Sequence, residues 1–538
     1  MQPAQRLAVS LALTLVALGR FSSAGAADWL QFGYDEAHSG FNPAESGIAA
    51  QVGNFSLLYR VQLPTLSDGA PVFLENVTTN QGVLDLLFVT GSFGDLVAVD
   101  ASTGNVVWQQ QSASGPAALT VSVAAVDPNR QFVYSAGLDG KVHKYAVGDG
   151  TETVDGVWPV LVTRKPALEK ISSALAVATA GDGDTYLYAT TSNFAYDKGD
   201  YQGHVTAINL ATGDQAVFNA VCSSTPGHLD AAPAAPNCAD AQAGIWGRPG
   251  VVYDATNDQI YVTTGNGPYT AATGGDDWGE SVLALPPSLR GTNGSELAAP
   301  LDSYTPVEYQ SLNDADEDLG VESPVVLPAP AGSKQPNIGV QIGKDGIVRL
   351  LNFGNLSGQG GPRHIGGELA TVTTLNYRGS LNSQPAVWID PDTGVGWLFA
   401  PYVGAEYAFF LQTGPLGGAN LVLAWSRTTS GGTSPVVADG VVFIIEKTNS
   451  LVALDAVTGT QLWSTPIHGV HWASPIVVNR TVYLIDGDGT LQAYSAQAFL
   501  SAIQPLAAAA PKPVASQARP PRWIESQANG RPAGQPPH

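Results

Sequence analysis

A dense acidic run is the part of this chain whose residue types most plainly allow chemistry. Four acidic groups fall in five positions within Asn313-Asp-Ala-Asp-Glu-Asp318. Carboxylates at that spacing can ligate a cation or exchange protons, and they are equally typical of a solvated acidic loop. A second candidate is His471, which precedes Trp472 and has His468 nearby. Its imidazole could bind a ligand or a metal, or only pack and form hydrogen bonds.

The chain has two cysteines, Cys222 and Cys238. In an oxidising compartment we expect them to form a disulfide, with free thiols as the alternative. A zinc cluster needs more cysteines than these, and no Cys-x-x-Cys-His haem-attachment motif occurs, so we expect no haem. The motifs of serine hydrolases and of helical metalloproteases are absent from the sequence as well.

Short strands must position these residues, because the chain repeats itself. The stretch Ala-Val-Asp-Ala-Ser-Thr-Gly-Asn-Val-Val-Trp at 98–108 returns in modified form at 453–463, and a degenerate copy lies at 207–217. Each clear copy predicts a strand, a Thr-Gly turn and a second strand that carries an aromatic residue. Repeats of this size predict an array or a propeller.

Small residues and proline recur before the predicted inner strands, and they divide the chain into eight units. They occur at Ala70-Pro-Val72, Leu119-Thr-Val-Ser122, Ser172-Ser-Ala174, Arg248-Pro-Gly250, Ser323-Pro-Val325, Gln384-Pro-Ala386, Ser434-Pro-Val436 and Ser474-Pro-Ile476. The strands that follow predict an all-β, eight-bladed β-propeller with four-stranded antiparallel blades. The last unit, ending near Tyr494, lacks an outer strand, and the strand predicted from Phe55 to Gln62 has no blade. Pairing these two strands would close the ring.

Units three to five are longer than the others. Their extra segments lie around Cys222 to Ala243, Tyr269 to Glu280 and Pro286 to Gln310. Extra loops on one sector of a propeller are typical of a functional site, so we expect the site in this sector.

The N-terminus has Arg6, an apolar run from Leu7 to Leu18 and small residues up to Ala27. This pattern predicts a secretory signal peptide at 1–27, with an uncleaved anchor as the alternative. We therefore expect a propeller over 28–503, periplasmic or secreted, monomeric and without a transmembrane segment. Residues 504–538, rich in Ala, Pro, Gln and Arg, predict a disordered tail. The net charge of −22 disfavours nucleic acid, which leaves a small-molecule substrate or an envelope protein as partner.

The repeat Ala-x-Asp-x-x-Thr-Gly-x-x-x-Trp and the segment at 28–43 resemble the pyrroloquinoline quinone (PQQ)-like repeat family, over roughly residues 28 to 500. That family contains quinoprotein dehydrogenases and non-catalytic scaffolds. The resemblance thus implies a quinoprotein dehydrogenase for an alcohol-type substrate, or alternatively a non-catalytic scaffold of the cell envelope. A lyase, or another enzyme that uses His471 and the acidic run in the same channel, is a further alternative.

A PQQ dehydrogenase needs an aromatic floor for the quinone, oxygen ligands for calcium, a carboxylate base and a cation over the quinone oxygens. The resemblance implies PQQ and calcium as cofactors. It places Trp246 beneath the quinone, Ser172 and Ser173 at the quinone carboxylates, and Lys344 at the oxygens that become reduced. The alternatives are blade packing for Trp246, a plain turn for Lys344 and a crowded channel wall for the serines.

For the calcium site, the resemblance implies Asn266 as an amide ligand, with Asp197 in place of the family's usual glutamate. It also implies Asp318 as a ligand and as the base that takes the proton of the substrate hydroxyl. The alternatives are an ordinary strand-ending turn at Asn266 and, for the run that contains Asp318, a solvated acidic loop or a separate cation site. The adjacent cysteines that quinoprotein alcohol dehydrogenases carry in an early blade are missing, since that region reads Val121-Ser-Val-Ala-Ala-Val126.

Overall fold

The computed structural model describes residues 28–111, 114–194, 197–234, 237–373 and 383–496. The predicted signal peptide (1–27) and the predicted tail (504–538) lie outside these residues, so both stay predictions. In the part of the chain that the structure describes, no helix is long and apolar enough to cross a membrane.

Eight antiparallel sheets follow one another along the chain, and together they confirm the predicted eight-bladed propeller. Each inner strand begins a few residues after one of the eight predicted unit starts. From the channel outward, the strands of blade 1 are Val72–Thr79, Gly82–Thr90, Asp95–Asp100 and Val106–Gln111. Those of blade 2 are Ala125–Val126, Phe132–Ala136, Lys141–Ala146 and Val160–Leu161. Those of blade 3 are Ala176–Thr179, Thr185–Ser192, His204–Asn209 and Gln215–Asn219. Those of blade 4 are Val252–Asp254, Gln259–Thr263, Val282–Leu285 and Asp302–Tyr304.

The remaining four blades complete the ring in chain order. The strands of blade 5 are Val325–Leu327, Ile338–Ile342, Val348–Asn352 and Ala370–Val372. Those of blade 6 are Ala386–Ile389, Gly396–Tyr402, Ala405–Thr413 and Ala419–Thr428. Those of blade 7 are Val436–Ala438, Val441–Glu446, Ser450–Asp455 and Gln461–Pro466. Blade 8 contains Ile476–Val478, Thr481–Ile485, Thr490–Ser495 and, as its outer strand, Ser56–Gln62.

The outer strand of blade 8 comes from the other end of the domain, as predicted. Ser56 pairs with Ser495 and Gln62 pairs with Thr490 in an antiparallel ladder. Across the same junction Phe73 of blade 1 stacks on Tyr483 of blade 8, with ring centroids 6.3 Å apart. The ring therefore closes through both hydrogen bonds and core packing, which removes a free sheet edge.

The repeat signature builds the turn and the junction between blades. The Asp100 side chain accepts hydrogen bonds from the turn that follows it, which fixes the turn to the outer strand. The Trp108 indole N–H donates to the Val147 carbonyl of blade 2 at 3.0 Å. In the later copy, Trp463 donates to the Phe55 carbonyl at 3.1 Å. The tryptophan of each copy therefore joins its own blade to the next.

An N-terminal strap, residues 29–42, crosses the channel against the inner strands. It forms hydrogen bonds with residues of seven blades, at Phe73, Val126, Val177, Tyr253, Val387, Val437 and Val477. Within the strap, the buried His38 lies between the carbonyls of Phe32 and Val251, at 2.5 and 2.9 Å. A cavity of about 10 Å³ beside the strap has room for about one water. The strap thus fills the channel core.

Blades 3 to 5 carry the long connections, as predicted. Short elements lie outside the blade strands: the 3-10 helices Val52–Asn54, Ala271–Thr273 and Leu319–Val321, the α-helix Tyr309–Ala315, and the two-residue strands Phe41–Asn42 and Lys170–Ile171. Cys222 and Cys238 form the predicted disulfide within the insert of blade 3.

Candidate functional site

The predicted site residues meet at the end of the channel where the inner strands begin. The second strand of a blade runs antiparallel to the first, so it ends where the inner strand starts. Asn266 follows the second strand of blade 4, and Lys344 follows the second strand of blade 5. Asp318 precedes the inner strand of blade 5. Propeller topology alone therefore brings these distant residues to one place.

Five residues form what we call the acidic cluster: Asp197, Asn266, Asp316, Asp318 and Lys344. The Asp318 carboxylate accepts the backbone N–H of Asn266 at 2.7 Å and pairs with the Lys344 ammonium. The Lys344 ammonium also lies 3.1 Å from Asp316 Oδ1. The Asn266 amide nitrogen donates to Asp197 at 3.1 Å and to Asp316 at 3.2 Å. The structure thus brings together all the predicted metal ligands, and it adds Asp316.

The amide oxygen of Asn266 is buried and has no hydrogen-bond partner among the described residues. A buried oxygen without a donor is unfavourable, and a bound cation would satisfy it. Three carboxylates against one ammonium leave the cluster with a net charge of −2 when all four groups are ionised. Both features fit a divalent cation with oxygen ligands.

Two ionisable groups of the acidic cluster are perturbed by the others. Burial and the nearby Asp318 carboxylate raise the pKa of Asp197 above its ordinary value. Burial alone would lower the pKa of Lys344, but Asp318 and Asp316 outweigh it and raise the pKa above the usual lysine range. Lys344 therefore stays protonated, and it offsets part of the negative charge of the cluster.

Trp246 forms a side of the same site. Its ring is only partly buried, and the Lys344 ammonium lies 5.2 Å from the ring centroid. A Cβ atom on Gly265 would lie 3.0 Å from Trp246 Nε1 and 2.5 Å from Asp318 Oδ1. Glycine at 265 is therefore what allows the indole and the carboxylate to approach one strand end this closely.

The two predicted serine contacts are placed differently from Trp246. Ser172 and Ser173 are both buried. The Ser172 hydroxyl lies 2.5 Å from the Ser192 hydroxyl, and Ser173 donates to the Ile245 carbonyl at 3.3 Å. Both hydroxyls thus have protein partners, and Ser173 anchors the residue just before Trp246.

Two buried glutamates behind the acidic cluster are absent from the sequence prediction. Glu280 accepts the backbone N–H of Leu319 at 2.6 Å, next to Asp318. Glu322 accepts the backbone N–H of Ile342 at 2.9 Å, two residues before Lys344. Burial raises the pKa of both carboxyl groups well above the usual value. Glu280 holds the segment that carries Asp318, and Glu322 holds the segment that carries Lys344. This role depends on long-range hydrogen bonds, so the sequence does not indicate it.

A second group of residues, which we call the cationic wall, lies at the same end of the channel. It consists of Lys170, Arg248, Lys447, Asp68, His471 and Trp472. Asp68 accepts hydrogen bonds from His471 Nδ1 at 2.6 Å and from the Trp472 backbone N–H at 2.8 Å. Burial opposes ionisation of Asp68, but His471 and Arg248 outweigh it and hold the pKa of that carboxyl below its usual range.

The remaining histidine named above is not part of this wall. His468 pairs with Asp488 instead, and 70% of its side chain is exposed. Of the two, His471 is thus the imidazole that belongs to the cationic wall.

Comparison with solved structures shows which known proteins have a similar fold. Similar solved structures include a quinohemoprotein alcohol dehydrogenase from Pseudomonas putida HK5, at 15% identity and a TM-score of 0.62, covering 91% of this chain and 82% of that one. The corresponding enzyme from Comamonas testosteroni is 17% identical, with a TM-score of 0.58 and the same coverage of 91% and 82%. A europium-containing methanol dehydrogenase is 13% identical, with a TM-score of 0.59, covering 87% of this chain and 98% of that one. At these identities the likeness concerns the fold alone.

No curated protein matches the chain in sequence. The family model described as outer membrane protein assembly factor BamB matches residues 76–287 and 411–499, which is more than half of the chain. With the repeat signature and the eight closed blades, this match shows that the chain belongs to that family of PQQ-like β-propellers.

Proposed function

We propose that the acidic cluster and Trp246 form the active site of a quinoprotein-type dehydrogenase for an alcohol-type substrate, with PQQ and calcium as cofactors. The observation that carries this proposal is the Asn266 amide, whose oxygen is buried without a partner while its nitrogen donates to carboxylates from two other segments. The quinohemoprotein alcohol dehydrogenases of the same fold support it by analogy.

The calcium ligands would be the Asn266 amide oxygen and the carboxylates of Asp197 and Asp318, with Asp316 as an additional donor. These oxygens suit a hard divalent cation, and the net charge of −2 on the acidic cluster, Lys344 included, balances it. When bound, the cation would polarise the carbonyl of a neighbouring quinone. Tyr201 donates its hydroxyl to Asp197 at 2.5 Å and so orients this carboxylate from the side away from Asn266.

The quinone would lie against Trp246, with Lys344 near its oxygens. A quinone held there would supply a hydride acceptor for the substrate carbon. Lys344 presents a permanent positive charge 5.2 Å from the indole centroid, which suits it to stabilise negative charge on a ligand that stacks there.

Asp318 would take the proton of the substrate hydroxyl. Its carboxylate is buried and is oriented by the Asn266 N–H and by Lys344. Glu280 fixes the peptide that follows Asp318, so the base is held from both sides. A general base so constrained needs little reorganisation before it accepts a proton.

The experiment titrates the metal-depleted protein with calcium and PQQ and follows tryptophan fluorescence, melting temperature and dye reduction. We expect calcium to raise the melting temperature and PQQ to quench fluorescence. Asn266→Ala should weaken both responses, whereas the exposed Asn293→Ala in blade 4 serves as the matched control. If saturating calcium and PQQ change neither fluorescence nor melting temperature, the dehydrogenase proposal is wrong.

A second candidate is a non-catalytic scaffold of the cell envelope. The family match favours it, because that family model is described as an outer membrane protein assembly factor. Under either proposal we expect a monomer in the periplasm or outside the cell, where the Cys222–Cys238 disulfide would persist. If this protein binds neither PQQ nor calcium but does bind an envelope protein, that result would favour the scaffold.

A further inference from the structure

Four lysine or arginine side chains are buried in the described part of the chain, and they fall into two kinds. Lys165 pairs with Glu169 at 2.9 Å, and Arg349 pairs with Asp345 at 2.5 Å. Lys170 and Arg248, only 7% and 2% exposed, form no salt bridge with any described residue. Burial of a charge without a counter-charge is unfavourable, so these two cations need an explanation.

Arg248 lies across the channel and uses only some of its N–H groups in hydrogen bonds. Its Nη1 donates to the Val121 carbonyl and its Nη2 to the Asp68 carbonyl, both at 3.1 Å. Its Nε is buried and has no partner among the described residues. The guanidinium lies 5.4 Å from the Trp472 ring centroid, so an aromatic face is next to the unused donor.

Lys170 reaches the same aromatic ring from blade 3. Its ammonium lies 5.6 Å from the Trp472 centroid. No hydrogen bond from this ammonium to a described residue is present, whereas the Lys447 ammonium donates to the His471 carbonyl at 2.5 Å. The three N–H donors of Lys170 are thus available at the ring that Arg248 also contacts.

The electrostatics of the wall agree with this geometry. Three cations, Lys170, Arg248 and Lys447, face one carboxylate, Asp68, in a chain whose net charge is −22. Burial lowers the pKa of Lys170 to about 8 and that of Arg248 to about 10, with Asp68 opposing both shifts. An anion bound here would supply the missing counter-charge.

We infer that Lys170 and Arg248 form an anion-binding site for the carboxylate group of a small substrate, with Trp472 as its apolar side. Three N–H donors without a partner remain on each of the two side chains, which is enough to satisfy both oxygens of a carboxylate. The Trp472 face suits the hydrocarbon part of a small carboxylic acid, which inorganic phosphate lacks. This inference goes beyond the proposed dehydrogenase, because it requires neither the quinone nor the metal.

The carboxylate could also come from the quinone itself, so the experiment separates the two sources. The full protein, with chelator, is titrated by calorimetry with acetate, succinate, inorganic phosphate and PQQ in separate experiments. We expect the carboxylates to bind and phosphate to bind more weakly. If only PQQ binds, or phosphate binds as well as the carboxylates do, the substrate-carboxylate site is wrong.

Two variants complete the test. Lys170→Met should weaken carboxylate binding by about tenfold or more, since it removes a charge-assisted contact. It should also raise the melting temperature of the ligand-free protein, because an uncompensated buried charge is replaced by an apolar chain. The exposed Lys334→Met controls for net charge and should change neither. Unaltered carboxylate affinity in Lys170→Met, or a lower melting temperature in that variant, would overturn the inference.

Discussion

The acidic cluster and the cationic wall, both at the channel mouth, have excess charge of opposite sign. In the acidic cluster three carboxylates surround one ammonium, Lys344. In the cationic wall three cations surround one carboxylate, Asp68. Lys165 and Glu169, by contrast, form a buried pair in which each charge has one partner. The difference shows that each of the two regions has an excess charge of one sign, which a ligand of the opposite sign can compensate.

The two regions also differ in how the chain builds them. The acidic cluster lies on blades 3 to 5, the sector with the long inserts and the α-helix Tyr309–Ala315. The wall takes Asp68, Lys447 and His471 from blades 1, 7 and 8, where connections are short. Arg248 links the two, because it follows Trp246 by two residues and bonds to the carbonyl of Asp68.

The largest expected effect belongs to the acidic cluster. Asp318→Asn keeps the shape of the side chain but cannot accept a proton, so quinone-dependent dye reduction should fall by roughly 10³-fold. PQQ binding should survive, because Trp246 and Lys344 are unchanged. Asp314→Asn, on the exposed side of the helix, is the matched control. Equal rates in both variants would remove Asp318 from the chemistry.

Next in size is the loss of the one cation in the acidic cluster. Lys344→Met leaves three carboxylates without their ammonium, so stability should fall by about 3 kcal/mol. Excess calcium should restore much of it by mass action. Chemical denaturation with and without calcium measures both effects. If Lys344→Met instead stabilises the protein, as we expect of Lys170→Met, then the two regions do not differ in how they depend on a buried cation.

The fold could be predicted from sequence because its signals are local and repeated. The Thr-Gly turn and the tryptophan recur at 98–108 and 453–463, and proline precedes most inner strands. Even the closing strand Ser56–Gln62 could be found, as it was a strand without a blade. The strap at 29–42 could not be traced, because its bonds run to residues as far away as Val477 and follow no sequence period.

The site was harder to predict because charge compensation is a three-dimensional property. The convergence of Asp197, Asn266, Asp318 and Lys344 follows from the topology once the family resemblance supplies the positions. The sequence shows Arg248 only as part of a unit start, since nothing in Arg-Pro-Gly indicates that the guanidinium crosses the channel.

A third prediction separates the two regions by pH. The pKa of Lys170 is lowered to about 8 by burial, so its ammonium is present below pH 8 and is lost above it. Carboxylate affinity of the wall should therefore be constant on the acidic side and fall up to about tenfold per unit above pH 8. Asp68, Arg248, Lys447 and His471 are the other charged or titratable groups of the wall. Calorimetry at a series of pH values measures this dependence.

Lys344 provides the contrast, because its pKa is raised and it stays charged over the same range. Removal of Lys170 by Lys170→Met should abolish the inflection near pH 8. An inflection that persists in that variant would assign the titration to another group of the wall.

The smallest effect is expected from reduction of the Cys222–Cys238 disulfide, which closes a loop with a sequence separation of 16 in the insert of blade 3. The end of this insert touches the acidic cluster by two hydrogen bonds: Ala243 N–H donates to the Asn266 carbonyl at 2.6 Å, and the Gln242 side-chain amide donates to the Asp197 carbonyl at 3.4 Å. Reduction should loosen the insert and leave the propeller folded, with calcium affinity lowered by less than about tenfold. Carboxylate binding at the wall should not change, because the insert supplies none of its residues.

Melting and calorimetry with and without reductant test this prediction, and the double variant C222S/C238S should reproduce the effect of the reductant. If reduction weakened carboxylate binding at the cationic wall as well, a change in the insert would be affecting both regions. The two regions would then differ in charge but not in their dependence on the insert.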